Sequence, residues 1–470
     1  MSERGTEDPA IVTKRRELSV TQRDLQGYLE LLREEAPEEI KFVDKTVDPK
    51  FELCAVIAKL ESLNRYPALV FNRVGGFSFP VVSNLFSSRK RLAIALGCHE
   101  KDVNQAFRTR EDHRIEPKRV SSGPVKEVVL KKGEVKLSRL PLVTHNEKDA
   151  APYITAGVMV VRDPETGIRN AGIYRHMLEG ENQIGVHLAE TGHANLIFEK
   201  YCKKGKPMEV AITVGMHPLF YLGVLSFVPF GIDEYTVVGG LMEEPLEVVK
   251  CETVDLEVPA MAEIVLEGII QPGNQRMEGA FGEYTTLYGK PMMNPVIDIT
   301  AITMRKAPIY LDIFSGHIDH QLVGGTPRLS SIYKAVQVAC PTVKDVYMPP
   351  SGFCRLTCYI SIEKRHEGEA KNAICAAFAV DPYIRYAVVV DSDVNIFDDS
   401  SIWRAITGRV RVDEDVFMIR NAKGHPLDPT AKKGFLVDKV GIDATRPLSG
   451  YPETVSVPGA DEVALDQYLK

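Results

Sequence analysis

The spacing of apolar and polar positions changes character along the chain. Leu25, Tyr28, Leu29 and Leu32 recur at i, i+3, i+4 and i+7, which predicts an amphipathic helix over 21–34 with Thr21 as its cap. A second helical pattern runs from Phe51 to Leu63. Two β-rich runs follow, Ala68–Val74 and Phe79–Phe86, divided by the turn pair Gly75-Gly76. From about position 116 the pattern breaks into short stretches rich in Val and Ile: Lys126–Leu130, Ile154–Arg162, Glu209–Val214, Leu246–Cys251, Glu263–Ile270 and Ile297–Ile313. Their spacing, with a helix at 193–203, suits a β-barrel or sandwich. Beyond about 329 the order is helix (Ser330–Ala339), strand (Val343–Met348), strand (Arg355–Glu363), helix (Ala370–Val380) and strand (Tyr386–Val390), a separate α/β unit. The acidic-apolar ending Asp461–Leu469 reads as a short docking helix.

Composition narrows the class. A chain of 470 residues corresponds to roughly three domain-sized units. With 44% hydrophobic and 26% charged residues it is neither disordered nor collagen-like. A net charge of −7 without a basic run gives no electrostatic footprint for nucleic acid. The polar, acidic start Met1–Ala10 is not a secretory signal. The greasiest segment, Leu219–Ile232, is interrupted by Ser226, Pro229 and two glycines and falls short of the roughly 20 residues a membrane span needs. Eight scattered cysteines without a CxxC pair read as reduced thiols, so the expected location is the cytoplasm.

Common catalytic signatures are missing: GxGxxG, the P-loop, GxSxG and HExxH do not occur. Polar chemistry gathers in the β-rich middle instead. Met277-Glu278-Gly279-Ala280-Phe281-Gly282-Glu283-Tyr284 sets two carboxylates five residues apart with two glycines between them. On a helix that spacing turns through about 140°, so the pair would not share a face. A curled strand or loop could bring both to one pocket, one kept protonated and one ionised; a solvated loop is the other reading. Arg175 falls in an apolar strand pattern and, if inward, requires an acidic partner. Asn170, His193 and Glu234 offer a mixed, mostly hard donor set suited to Mn²⁺ or Mg²⁺; a purely structural histidine is the alternative.

Together these residues resemble the UbiD family of prenylated-flavin-dependent decarboxylases. Glu278-Gly-Ala-Phe-Gly-Glu283 is similar to its E-G-P-F-G-E/D signature, with Ala280 in place of the proline. Asn170–Arg175 matches its N-x-x-x-x-R motif, His193 its metal histidine, and Gly231-Ile-Asp-Glu234 its G-[VI]-x-E segment. The likeness extends through Val248–Thr253, Val388–Asp391 and Gly441–Thr445. It implies an α+β chain with a central split β-barrel of the flavin-reductase type, in five parts: an N-terminal α/β portion (1–115), the barrel as cofactor domain (116–315), a linking helix (316–335), an α/β oligomerisation domain (336–445) and a tail or helix (446–470).

The implied chemistry is reversible, non-oxidative decarboxylation through a covalent prenylated-flavin adduct, because losing CO₂ from an sp² carbon requires an electron sink that side chains lack. Asn170, His193 and Glu234 would bind the divalent metal, Mn²⁺ or Mg²⁺, that holds the phosphate of prenylated FMN, with K⁺ nearby. Ala171, Gly172, Ile173, Tyr174, Arg175 and Gly192 would line the cofactor, and Arg385 stands where many relatives place a phosphate-contacting lysine. Arg175 would orient the substrate carboxylate and pair with Glu278, and Glu283 would donate the proton. His320 and Arg328 would read a second polar or acidic group; an ion pair steadying the linker is the other reading. The implied substrate is a small aromatic or heteroaromatic acid. Phenolic or aryl-acrylic acids, including ubiquinone-type hydroxybenzoates, are the alternative, as is a non-catalytic subunit of a multi-subunit carboxylase. A homo-oligomer, dimer or hexamer, and a flavin prenyltransferase supplying the cofactor complete the expectations.

Overall fold

The computed structural model describes residues 23–468 except 191, 454, 456 and 460–462. The first helix spans Leu25–Glu35 and buries Leu25, Tyr28, Leu29 and Leu32, as their spacing requires. Its cap is Asp24, whose carboxylate accepts the Gly27 N–H at 2.8 Å; the expected cap, Thr21, lies outside the described residues. Strands Ile40–Val43, Ala68–Phe71 and Val81–Ser83 form a sheet with a fourth strand, Tyr310–Leu311, that arrives from far along the chain and runs parallel to Val81–Ser83. The run Ile297–Ile313 is therefore two strands in two different sheets.

The centre is a closed barrel. Its strands are β1 (Tyr153–Arg162), β2 (Arg169–Leu178), β3 (Gln183–Val186), β4 (Met208–Val214), β5 (Ile264–Glu278) and β6 (Met292–Met304). They pair antiparallel in the ring β5-β4-β1-β2-β3-β6, and β6 returns to β5. Closure removes exposed strand edges. Because side chains alternate across a strand, Ala156, Val158 and Val160 of β1 enter one core while Met159 and Val161 enter another. That is why this strand reads as a continuous apolar run. Leu246–Cys251, expected with the barrel strands, instead contributes Glu247–Lys250 to a small sheet with Glu257–Pro259 and Lys118–Arg119.

Helices frame the barrel: α1 (His193–Lys203), α2 (Glu234–Met242), α3 (Ile318–Gly325) and α4 (Arg328–Ala339). The stretch between barrel and C-terminal unit is thus two helices meeting at Thr326-Pro327, not one. The C-terminal five-stranded mixed sheet carries Val343–Tyr347, Thr357–Ile362, Tyr386–Asp391, Leu436–Ala444 and Val416–Lys423 in spatial order, with helices Glu369–Val380 and Asp399–Arg409. Of the expected terminal helix, Asp461 and Leu469 lie outside the described residues; Leu465–Gln467 forms one exposed 3₁₀ turn. Among the described residues no helix is long and apolar enough to cross a membrane.

Candidate active site

The carboxylate pair converges because its two members sit on different kinds of backbone. Glu278 is the last residue of β5, held in register opposite Met292 of β6. Glu283 lies in the connecting loop, where its N–H donates to the Leu287 carbonyl at 2.9 Å. Asp149 clips this loop to the barrel: its carboxylate accepts the Gly282 N–H at 3.0 Å and the Asn146 N–H at 2.9 Å. Gly282 has no side chain for a physical reason, since a Cβ there would lie 2.2 Å from Asn146 Nδ2.

Arg175, on β2, projects between the two acids. Its Nε and Nη2 donate to Glu278 at 2.7 and 3.0 Å, a two-pronged pair, and Nη1 makes a close ion pair with Glu283. Glu278 and Glu283 are 3% and 5% exposed. The solvated-loop reading of this segment is therefore replaced by a buried triad, and the acidic partner required of an inward Arg175 exists twice over. Burial pushes the Glu283 carboxyl above its ordinary range, Arg175 opposes this, and the nearby Glu278 adds to it. Burial disfavours the Arg175 cation, but Glu283 and Glu278 together outweigh it and hold the guanidinium charged. Two acids sharing one guanidinium leave one ionised and one able to carry a proton. The Arg175 guanidinium also lies over the Phe281 ring, 5.0 Å from its centre.

Two of the triad, Arg175 and Glu283, border a cavity of about 260 Å³ whose lining also includes Ile173, Tyr174, His320 and Arg355, with Glu278 behind Arg175. His187 also faces it. Burial and the Arg175 charge lower the His187 pKa to about 4, so the imidazole is neutral and its Nδ1 stands 3.9 Å from Glu278.

Asn170, His193 and Glu234 come together from the start of β2, the first residue of α1 and the first residue of α2. Asn170 Nδ2 donates to Glu234 at 2.7 Å, the Ala171 N–H donates to the same carboxylate at 2.9 Å, and His193 Nδ1 lies 3.9 Å from it. Asn170 Oδ1 is buried without a hydrogen-bond partner. An orphaned carbonyl oxygen beside a buried carboxylate and an imidazole is a donor set that a hard divalent cation would complete. Among the described residues no cluster of three or more His, Cys, Asp or Glu is placed for a metal; this trio depends on its asparagine.

Gly192 is the N-cap of α1. His320, at the middle of α3, lines the cavity. Arg328 does not: its guanidinium is buried, pairs with Asp381 at 2.7 Å and lies over the Tyr383 ring at 4.0 Å. Arg385 is in the C-terminal unit, 3.3 Å from Asp428. Two cavity residues, His187 and Arg355, escaped sequence reasoning. Neither belongs to a motif; Arg355 follows the turn Pro349-Pro350-Ser351-Gly352, which marks a break in the chain without saying where the next side chain points.

Comparison with known proteins settles the family. The chain matches the 3-octaprenyl-4-hydroxybenzoate carboxy-lyase N-terminal domain over residues 31–110, the Rift-related domain over 118–318 and the C-terminal domain over 321–444. The chain belongs to the UbiD family. As a UbiD-family protein it is a carboxy-lyase, and its α+β architecture with a central barrel is that of UbiD-class structures. It is 35% identical to anhydromevalonate phosphate decarboxylase from Methanothermobacter thermautotrophicus, over 90% of this chain and 97% of that protein. Among solved structures it resembles the UbiD-class enzyme HmfF from Pelotomaculum thermopropionicum in complex with FMN, at TM-score 0.91 and 39% identity, covering 95% and 100% of the two chains. An evolved dimeric form of HmfF in complex with prFMN matches at TM-score 0.88 and 37% identity, over 95% and 100%.

Proposed function

We propose that this UbiD-family chain catalyses reversible, non-oxidative decarboxylation of a small aromatic or heteroaromatic carboxylic acid, using prenylated FMN. The single observation that carries the reading is the buried Glu278–Arg175–Glu283 triad, whose Arg175 and Glu283 stand at the cavity wall. Arg175, oriented by Glu278, binds the substrate carboxylate and is released from Glu283 as it does so. Glu283, its carboxyl raised by burial, holds the proton and delivers it to the carbon that CO₂ leaves. His187, neutral, keeps a hydrogen-bonding face on the Glu278 side without adding charge.

Prenylated FMN, when bound, supplies the electron sink that the reaction requires. The residues present fit it. Asn170 Oδ1, Glu234 and His193 would hold Mn²⁺ or Mg²⁺ on the phosphate, with K⁺ beside it. Ala171, Gly172, Ile173, Tyr174 and Gly192 would flank the flavin, and Arg385 would reach the phosphate side. A flavin prenyltransferase supplies the cofactor, the C-terminal unit joins copies into a dimer or hexamer, and 1–115, 116–315, 316–335, 336–445 and 446–470 are the working divisions of the chain. The kinship with anhydromevalonate phosphate decarboxylase supports a second reading, an unsaturated acid bearing a phosphate.

The test is co-expression with a flavin prenyltransferase, then product analysis across furan, pyrrole, benzoic and cinnamic acids and a phosphorylated enoic acid. CO₂ release from any class, with flavin and metal in the purified protein, supports the reading. Bound flavin without CO₂ release from any of them would overturn it.

A further inference from the structure

A guanidinium between two carboxylates does not by itself decide which of them keeps a proton. The residues around this pair are unequal. Glu278 accepts from Arg175 Nε, Arg175 Nη2 and Asn294 Nδ2, whereas among the described residues the Glu283 carboxyl accepts from Arg175 Nη1 alone. Asn294 lies two residues beyond Met292, the ladder partner of Glu278, so the Asn294 and Glu278 side chains stand on the same face of the β5–β6 seam. Asn294 is buried. A carboxylate can only accept, so the amide nitrogen faces Glu278. The same side chain meets His187, where, against burial and the Arg175 charge, it favours a proton on the ring. A hydrogen bond given to a carboxylate stabilises its ionised form.

A further donor stands ready beside it. Tyr153, on β1, is fully buried, and among the described residues its hydroxyl has no hydrogen-bond partner. Burial, and after it the charge of the adjacent Glu278, push that hydroxyl above its ordinary pKa, so it keeps its proton and toward an anion can only donate. Its ring is fixed against Phe281. The other charged or titratable groups facing this corner are Arg175, Glu283, His187, Glu179 and, by way of Tyr153, Asp149. The acids among them disfavour a charge on Glu278, and Arg175 reaches both members of the pair. Asn294 and Tyr153 reach Glu278 only, while burial and Asp149 press Glu283 toward its protonated form.

We propose that Asn294, with Tyr153 in reserve, is a positioning residue that keeps Glu278 ionised and so leaves the shared proton on Glu283. The inference rests on the decarboxylase reading above and names the side chains that assign its proton. In each turnover the C–CO₂ bond and the Glu283 O–H bond break, and the electron pair of the first ends in a new C–H bond. Glu283 is left as a carboxylate that solvent reprotonates. Glu278 changes neither its charge nor its place, so Arg175 stays aimed through the cycle.

The experiment joins neutron diffraction on the unliganded protein, over a series of pD values, with pH–rate profiles of the flavin-loaded enzyme. In the parent, as pD falls, deuteron density is expected first on the Glu283 carboxyl, with Glu278 bare. In N294L it should reach Glu278 at a pD where the parent shows none. With any acid that releases CO₂, N294L should move the acidic limb of the kcat/KM profile up by about one to two pH units, the worth of one hydrogen bond to a charged group. The basic limb, which follows Glu283, should stay in place. N294S, gentler on packing, should move the acidic limb the same way, and Y153F should extend the shift in the N294L background. A merely structural contact would lower the whole profile and move neither limb. A first deuteron on Glu278 in the parent, or the same placement in parent and N294L, would overturn the assignment. A deuteron that moves in N294L, in an enzyme that releases no CO₂ from any acid, would support the role of Asn294 and sink the decarboxylase reading; CO₂ release with an unmoved acidic limb would do the reverse.

Discussion

Replacing Arg175 with methionine keeps the apolar stem and removes the one cation that two buried carboxylates share. Asn294 still donates to Glu278, and the Tyr153 and Phe281 rings pack at 4.6 Å beside it. Among the described residues Glu283 has no other cationic partner. Removing one member of a buried ion pair costs about 3–5 kcal/mol where the remaining charge cannot be neutralised. Here it can be, because Glu283 takes up a proton. Its folded pKa, already above the ordinary 4.5, rises further without Arg175. A carboxyl raised on folding binds more protons in the native state than in the unfolded one. Its contribution to stability is therefore best at low pH and is lost as pH rises above about 4.5, at up to about 1.4 kcal/mol per unit until the folded pKa is passed. The deficit of R175M relative to the parent should be small near pH 5 and grow to about 3 kcal/mol by pH 8. Urea unfolding followed by far-ultraviolet circular dichroism at pH 5, 6, 7 and 8 measures it. A gap of constant size, or one that widens toward acid, would refute the reasoning that Arg175 exists to hold two acids in one pocket.

Four further outcomes are expected. E283Q should lower turnover by about 10²–10⁴-fold while flavin absorbance in the purified protein is retained; normal decarboxylation would remove Glu283 as proton donor. N170A should lower metal content at fixed Mn²⁺ by about 10- to 100-fold in affinity, read by inductively coupled plasma mass spectrometry. G282A should displace Asn146 and loosen the Asp149 clip, costing about 1–3 kcal/mol in unfolding experiments and depressing kcat more than KM. R328M should destabilise by about 3–5 kcal/mol through the orphaned Asp381 yet leave the ranking of substrates unchanged, as competition assays would show.

Where packing is local, the sequence was readable. The helix at 193–203, the strand at 154–162 and the C-terminal alternation of helices and strands stand close to their expected limits, because each apolar period has a single face or pair of faces to fill. Expectations slipped where partners come from afar. Nothing in Ile297–Ile313 states that its last residues leave the barrel for the N-terminal sheet, since that pairing is chosen by Val81–Ser83. In sequence Glu278 fits a curled strand or a loop equally; it ends a strand because β6 supplies the ladder. Arg328 and Arg355 are equally basic in sequence. Which one faces the cavity is decided by Asp381, which takes the first, and by the turn at Phe353-Cys354, which aims the second.

The unequal mounting of the two acids has a kinetic corollary. Glu278 is part of the seam that closes the barrel, whereas Glu283 hangs on a loop fastened by a handful of backbone bonds and one aspartate. In deuterium exchange the amides of 279–291 should therefore open and reclose on their own, while those of the β5–β6 ladder exchange only when the barrel itself comes apart. The group that fixes where a carboxylate lands would be as durable as the fold, and the group that hands over a proton would be free to swing once each cycle.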